Sequence, residues 1–306
     1  MTTRSLSTKI SLSESASMRP STRTGICALT RTEGVYVNSH LIPRALTRLS
    51  GTGEKFVETG IGHGTKMRAN SWYDAGLVTR AGEDILSDID AKGIEMLREH
   101  RLVWSSWGSE RRLQEGELLD SDVFHRTIDT ENSDVLRLFF LSLLWRAAAS
   151  TRPEFGDVEL FKDELEDLRV RVLEQDPGAV RDYPIQLFQL ITRGTPHNRT
   201  PLLERKPIVY IDGSVGPEVR YARFYFDGLV SHIHLARDVK LHQDYLETCL
   251  GFGKSTIVFG HEFESSRTSE NIQEMVGAVG REQSLVAEPL KPVIAAIRQR
   301  WPGVKP

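Results

Sequence analysis

The sequence predicts an α+β fold in which an N-terminal module of short strands and one helix is joined to a larger helical and antiparallel-sheet region. Two patterns predict this class. Short β-prone runs separated by turn residues precede a strongly periodic helix that ends near residue 101. After residue 205, strand-like runs alternate around Asp-Gly turns. A chain of 306 residues corresponds to about two domains. We therefore divide it into a leader at 1–24, a module at 25–115 and a C-terminal α+β domain at 120–306.

The composition is typical of a folded protein, with 39% hydrophobic and 26% charged residues. A net charge of −3 excludes a generally basic protein that wraps nucleic acid, but not a local basic patch. The sequence has no run of about 20 apolar residues, so we expect no membrane segment. The two cysteines, Cys27 and Cys249, are too few for a disulfide scaffold or a four-cysteine zinc site, and they predict reduced thiols in a cytoplasmic protein.

The N-terminal third begins with a segment rich in serine and threonine. Residues 1–24 lack the apolar stretch of a secretory signal and favour a flexible leader, with an organelle transit peptide as the alternative. Two β-prone runs follow at 26–29 and 35–37, separated by a turn. Residues 50–70 contain five glycines and predict a long, functional loop. The apolar residues between Glu83 and Arg101 recur with helical spacing and predict a helix.

The second region is predicted to be helical over 130–195, strand-rich over 205–262 and helical again over 268–301. Ser133 begins a long apolar run that reads as a buried helix, and a second helix fits 158–174. The runs around Asp212-Gly213 and Asp227-Gly228 predict hairpins, and 256–259 predicts a further strand.

A histidine near a predicted turn is the first candidate for chemistry. His40 lies in Asn-Ser-His-Leu-Ile-Pro at 38–43, and an imidazole with a pKa near 6.5 is suited to act as a general base. The alternative is an ordinary surface histidine. Asp74 and Glu83 flank a short strand-to-helix connection, and carboxylate oxygens suit Mg²⁺ or Mn²⁺. Their alternative is a turn aspartate and a glutamate favoured by the helix dipole.

These residues resemble the HNH, or ββα-metal, endonuclease family. Ser-His-Leu-Ile-Pro is similar to the Ser-His-Ile-Ile-Pro motif of a bacterial branch in which Cys-x-x-Cys-Glu follows. Matched residue by residue, His40 takes the place of the general base. Asp74 takes the place of the asparagine that precedes the second cysteine pair, and Glu83 that of the residue just after the pair. Leu-Ser-Leu-Leu-Trp-Arg at 141–146 is similar to a segment that follows the module in that branch.

The sequence departs from this family at the metal positions. The two cysteine pairs correspond to Cys27 with Thr30, and Thr79 with Gly82, so we expect no structural zinc. Ser39 stands where the family has an acidic metal ligand beside the histidine. Asp74 and Glu83 are the candidates to compensate, together with Asp88 or Asp90 further along the predicted helix, and of these two we assign Asp90 to the metal.

The resemblance implies a metal-dependent endonuclease that hydrolyses phosphodiester bonds, with DNA as the expected substrate and bacterial defence against phage or mobile DNA as a possible setting. His40 would deprotonate water, and Mg²⁺ or Mn²⁺ would bind the scissile phosphate. We assign five basic residues to phosphate contacts. Three lie near the motif and two within the glycine-rich loop, respectively Arg44, Arg48 and Arg80, and Lys66 and Arg68. The alternative is an inactive scaffold derived from this fold that binds nucleic acid or a partner protein. The C-terminal domain would suit a protein partner or self-association.

Two other patterns are not favoured as sites. Gly-Phe-Gly-Lys-Ser-Thr at 251–256 resembles the end of a phosphate-binding loop, but it lacks the first glycine and precedes a predicted strand. His232 and His234 share one face of a predicted strand, yet no third ligand is evident and a structural role is favoured.

Overall fold

A computed structural model describes most of the chain, in eight ranges: 23–47, 56–60, 63–68, 71–118, 124–194, 197–210, 212–266 and 269–270. Nearly all of the predicted leader lies outside these residues, as do Arg48 and all but two residues of the predicted C-terminal helix.

The described residues form thirteen strands and five α-helices. The strands are β1 (Thr24–Ile26), β2 (Glu33–Val35), β3 (Ser39–His40), β4 (Phe56–Gly60), β5 (His63–Arg68), β6 (Tyr73–Asp74), β7 (Glu117–Leu118), β8 (Phe124–Asp129), β9 (Ile185–Leu190), β10 (His197–Val209), β11 (Val215–Phe226), β12 (Leu229–Leu235) and β13 (Ser255–His261). The helices are α1 (Arg44–Thr47), α2 (Arg80–Glu99), α3 (Ser133–Ala149), α4 (Lys162–Glu174) and α5 (Gln243–Glu247).

Nine strands form one large sheet in the order β5-β4-β10-β11-β12-β9-β13-β8-β7. Together with the helices, this sheet confirms the α+β class. The sheet is not purely antiparallel as predicted, because β4 pairs with β10, and β9 with β13, in parallel. The long hairpins β10–β11 and β11–β12 are the ones that the Asp-Gly turns predicted.

Two sequence predictions about local structure were wrong. The predicted loop at 50–70 contains the hairpin β4–β5, so Lys66 and Arg68 lie on an edge strand of the sheet. The region 130–195, predicted to be helical, ends in strand β9. Five of the six residues of β9 are buried, so the strand has little of the alternation between apolar and polar residues that would separate it from a buried helix. In β4 and β5 the sequence pattern of a strand is interrupted by glycines, which instead predicted a loop.

Two small antiparallel strand pairs pack beside α2 in the N-terminal region: β1–β2, and a pair that we call the β3–β6 hairpin although its long connection contains β4 and β5. Strands β1 and β2 pair with each other, and β3 pairs with β6. The segment between β6 and α2 is bound to the β1–β2 region, since the Ala28 amide donates to the Leu77 carbonyl over 3.0 Å and the Val37 amide, just after β2, donates to the Val78 carbonyl over 3.2 Å. These contacts hold the start of α2 against β1, β2 and the segment that leads into β3.

Helix α3 lies at the centre of the molecule. Its sequence is apolar on all sides, as expected for a buried helix, and most of its residues are inaccessible to solvent. One hydrophobic cluster includes α3, the inner face of α2, the N-terminal hairpins and the sheet, including Cys27, Leu86, Phe139 and Leu187. The predicted boundary near residues 115–120 therefore separates two regions that share one core.

Helices α2 and α3 approach each other closely at Gly93. A Cβ atom at this position would lie 2.5 Å from the ring of Phe139, so only glycine permits the observed packing. Within the described part of the chain, no helix combines the length and apolar character needed to span a membrane.

Candidate functional site

The β3–β6 hairpin and the first turn of α2 together form the candidate site. Ser39 pairs with Asp74 and His40 with Tyr73 across the two strands. Helix α2 begins at Arg80, which places Glu83 in its first turn. The predicted runs at 26–29 and 35–37 fall near β1 and β2, whereas β3 and β6, which form the site, were not predicted and are separated in sequence by β4 and β5.

The four positions that correspond to the cysteine pairs meet in space. The Thr30 amide lies 3.5 Å from the Cys27 Sγ, and a Cβ at Gly82 would lie 2.6 Å from the same sulfur. Burial raises the pKa of the Cys27 thiol, but hydrogen bonds with Thr30 and Thr79 outweigh this effect and the pKa is lowered. These four positions are therefore occupied by one cysteine, two threonines and one glycine that pack together. Cys27 supplies the single thiol among them.

Glu83 faces Ser39 in a partly buried position. Burial raises the pKa of the Glu83 carboxyl, while the Ser39 hydroxyl and Arg146 act in the opposite direction. Neither Ser39 Oγ nor Glu83 Oε2 has a hydrogen-bond partner of ordinary geometry among the described residues, although both atoms are buried. Buried polar atoms are normally paired, so this pair of oxygen atoms has unused capacity to bind a ligand.

His40 is held in its neutral form by its surroundings. Burial lowers the pKa of the imidazole, Arg44 and Arg146 lower it further, and Asp90 partly opposes them. A histidine whose pKa lies below 6.5 is unprotonated at neutral pH and has a nitrogen free to accept a proton.

Arg146 connects three elements beneath the site. Its Nη1 donates to the His40 carbonyl oxygen and to Asp90 Oδ2, each over 2.9 Å, and its Nη2 donates to Asp90 Oδ1 over 2.6 Å. Ser142 accepts two further hydrogen bonds from the same side chain. Only 1% of the Arg146 side chain is exposed. The guanidinium therefore fixes α2, α3 and β3 relative to one another.

Asp74 is bound on both of its carboxylate oxygens. Its Oδ1 accepts the Gly76 amide over 2.9 Å, and its Oδ2 accepts the Ser150 hydroxyl over 2.8 Å. Asp90 is likewise occupied by Arg146. Of the three carboxylates predicted as metal ligands, Glu83 alone retains a buried oxygen without a hydrogen-bond partner among the described residues.

The predicted phosphate-binding residues are divided between two places. Arg44 and Arg80 are exposed at the first positions of α1 and α2, close to His40 and Glu83 respectively. Lys66 and Arg68 lie on β5 at the sheet edge, and Arg48 falls outside the described residues.

Sequence reasoning did not assign Arg146 or Ser142 to the site. The signal was present, because an arginine within the apolar run of α3 requires a buried partner. The partner, Asp90, was instead assigned to a metal.

Comparison of this chain with the profiles of known families, with curated proteins and with solved structures gives no match. Within the described ranges, no group of three or more His, Cys, Asp and Glu side chains is arranged to hold a metal ion.

Proposed function

We propose that this chain is a metal-dependent endonuclease of the HNH type that hydrolyses phosphodiester bonds in nucleic acid. One observation carries the proposal: the β3–β6 hairpin and the first turn of α2 bring Ser39, the neighbour of His40 in β3, against a partly buried Glu83 whose Oε2 lacks a hydrogen-bond partner among the described residues. The packing of Cys27, Thr30 and Gly82 around one point supports the same alignment. DNA as the substrate and a role in defence stay predictions from the resemblance.

The residues fit a divalent cation at one carboxylate. Glu83 would hold Mg²⁺ or Mn²⁺ together with the Ser39 hydroxyl, because the two side chains face each other and their buried oxygens, Ser39 Oγ and Glu83 Oε2, have no further hydrogen-bond partner among the described residues. Asp74 adjoins them through its pairing with Ser39, whereas Asp90 is neutralised by Arg146. We therefore assign Asp90 to the support of the site rather than to metal binding.

The side chains have distinct roles in this proposal. His40 accepts a proton from the attacking water, and its lowered pKa keeps it competent at neutral pH. Arg44 and Arg80 contact the flanking phosphates from exposed helix starts. The cation, when bound, supplies Lewis-acid stabilisation of the charge that develops on the phosphate.

A binding scaffold without catalysis is the second candidate. The hydrogen bonds on Asp74 and the ion pair on Asp90 favour it, because they leave a single carboxylate for a metal. Such a site would bind a divalent cation weakly.

The deciding experiment is cleavage of plasmid DNA, single-stranded DNA and RNA with Mg²⁺ or Mn²⁺. We expect His40→Ala and Glu83→Gln to abolish cleavage, while His100→Ala and Glu95→Gln, on α2 or at its end, retain it. Thermal unfolding provides a second readout, since a bound cation at one hundred times its Kd stabilises by about 2.7 kcal/mol. Glu83→Gln should lose that shift and Glu95→Gln should keep it. An absence of both cleavage and shift in the folded parent protein would favour the scaffold.

A further inference from the structure

The large sheet has one face covered by helices and a second face that is partly open. On the covered face, Leu187, Phe224 and Ile233 pack in the same cluster as α3. Neighbouring residues in a strand point to opposite sides, so Phe188, Arg223 and His232 lie on the other face. The same alternation assigns Ile257 and Phe259 to that face, because Val258 is in the cluster.

Only the two ends of this second face are covered by described residues. At one end, Tyr245 of α5 packs on His234, and its hydroxyl lies 3.0 Å from His234 Nε2. At the other end, Trp104 belongs to a small cluster against which Val230 packs. The residues between them are partly exposed, and we call them the open sheet face: Phe188, Phe259, Ile257, His232, Lys206 and Arg223.

Aromatic rings follow one another across the open sheet face. The Phe188 and Phe259 rings stack with centroids 5.8 Å apart, and Phe188 lies 4.7 Å from the ring of His232. Tyr221, which is buried, continues the series beneath the surface at 4.6 Å from His232. Partly exposed aromatic rings on a sheet are the surface on which unpaired bases stack.

The cation at the end of this series is only partly neutralised, because the nearby Glu204 carboxylate attracts it but also pairs with Arg223. Lys206 Nζ lies 3.2 Å from His232 Nδ1 and 4.5 Å from the centre of the Tyr221 ring, and it forms no ion pair with a carboxylate among the described residues. Arg223 pairs with Glu204 over 3.3 Å. Burial lowers the pKa of Lys206, and it lowers that of His232 to about 2 with help from Lys206 and Arg223. An anion beside Lys206 would relieve this excess of positive charge.

We propose that the open sheet face binds a single strand of nucleic acid, with bases stacked on Phe188 and Phe259 and a phosphate at Lys206. From β13 to β10 the face spans four strand spacings, or about 19 Å, which is wider than one base. A strand with several bases therefore fits better than a free nucleotide. Because α2 and α3 lie on the opposite side of the sheet, this binding does not depend on the proposed cleavage.

Binding of short labelled single-stranded DNA and RNA to the full chain, followed by fluorescence anisotropy in EDTA, tests the proposal. Phe188→Leu removes the ring but keeps an apolar side chain, and we expect at least about fivefold weaker binding. Lys206→Met should also weaken binding and lower the salt dependence by about one counterion. Lys162→Met, at the exposed start of α4 on the helical side, is the matched control and should bind like the parent.

Three results would overturn the proposal: equal affinity of the parent and Phe188→Leu, equal affinity for duplex and single strands, or competition by a mononucleotide as strong as by a strand. Phe259→Leu serves as the second variant if circular dichroism finds Phe188→Leu misfolded. The binding assay contains no free metal, so a negative binding result would not bear on the proposed cleavage. A negative cleavage result would likewise not bear on the proposed binding.

Discussion

At the scale of single residues, burial determines the charge state of the candidate site. It lowers the pKa of His40 and raises that of Glu83, so both side chains are shifted toward their neutral forms. For His40 this shift favours proton acceptance. For Glu83 the raised pKa disfavours the ionised carboxylate that a metal requires. A bound cation would lower this pKa again, because the ion favours the carboxylate.

The lowered pKa of His40 predicts the acidic limit of activity. The imidazole must be neutral to accept a proton, so cleavage should rise with pH through a midpoint below 6.5. Arg44→Gln removes one of the charges that lower this pKa, and we expect the midpoint to move upward, toward 6.5. Cleavage rates measured across pH give the midpoint directly. Arg98→Gln, exposed on α2, should leave it in place, and an unchanged midpoint in Arg44→Gln would contradict the assignment of His40.

The candidate residues were predictable from sequence in part. The motif around His40 and the spacing to Glu83 pointed to two elements that the fold brings together, β3 and the first turn of α2, with Ser39 rather than His40 facing Glu83. The roles of Asp74 and Asp90 were not predictable, because they depend on Ser150 and Arg146, which are distant in sequence. A side chain's hydrogen-bond partners follow from tertiary packing, and local patterns contain no information about them.

At the scale of elements, α3 controls the geometry of the site although it contributes no predicted catalytic residue. Its Arg146 binds Asp90 of α2 and the carbonyl of His40 at once. A buried arginine with a bidentate carboxylate partner transmits any shift of α3 to the hairpin. The position of Arg146 on α3 therefore determines the separation between β3 and the first turn of α2.

Arg146→Met should destabilise the protein by about 3 kcal/mol, the lower end of the range for buried ion pairs, because it leaves Asp90, whose side chain is 17% exposed, without its partner. Adding Asp90→Asn should recover part of this loss by removing the charge. Urea unfolding of the single and double variants measures both effects. Arg98→Met, exposed near the end of α2, should change stability by no more than about 0.5 kcal/mol. A similar small effect in Arg146→Met would indicate that the ion pair contributes little.

The long helices and the Asp-Gly hairpins were accessible to sequence analysis, whereas β4, β5 and β9 were not. Helices α2 and α3 have clear periodicity or a long apolar run, and Asp-Gly turns have a specific conformational preference. Strand β9 lies in the middle of the sheet and β4 joins β10 in parallel, so both are stabilised by partners distant in sequence. Such pairing overrides weak local preference.

At the scale of the whole molecule, the two predicted regions fold around a shared core. The Phe139 ring fills the space at Gly93, and Arg146 neutralises Asp90, so α2 requires α3 for its packing and its charge balance. The sequence indicated two regions because their compositions differ. It contained no direct sign that one cluster joins them.

We therefore expect a fragment of residues 23–118 not to fold by itself. Without α3, it would expose the apolar side of α2, including Leu86 and Ile89, and leave Asp90 unpaired. Circular dichroism during heating should give a cooperative transition for the full chain and none for the fragment. A cooperative transition in the fragment would establish an independent N-terminal domain.

The position of β13 in the sheet affects how the chain folds during translation. Among the described residues β13 is the last strand of the sheet along the chain, and it lies between β9 and β8. A ribosome adding about 5–20 residues per second needs roughly 6–25 s to advance from Asp129, where β8 ends, to Ser255, where its partner begins. During that interval, the nascent chain carries an open strand edge, which is the kind of surface that chaperones protect. Slowing translation between these residues should therefore increase aggregation of this protein rather than reduce it.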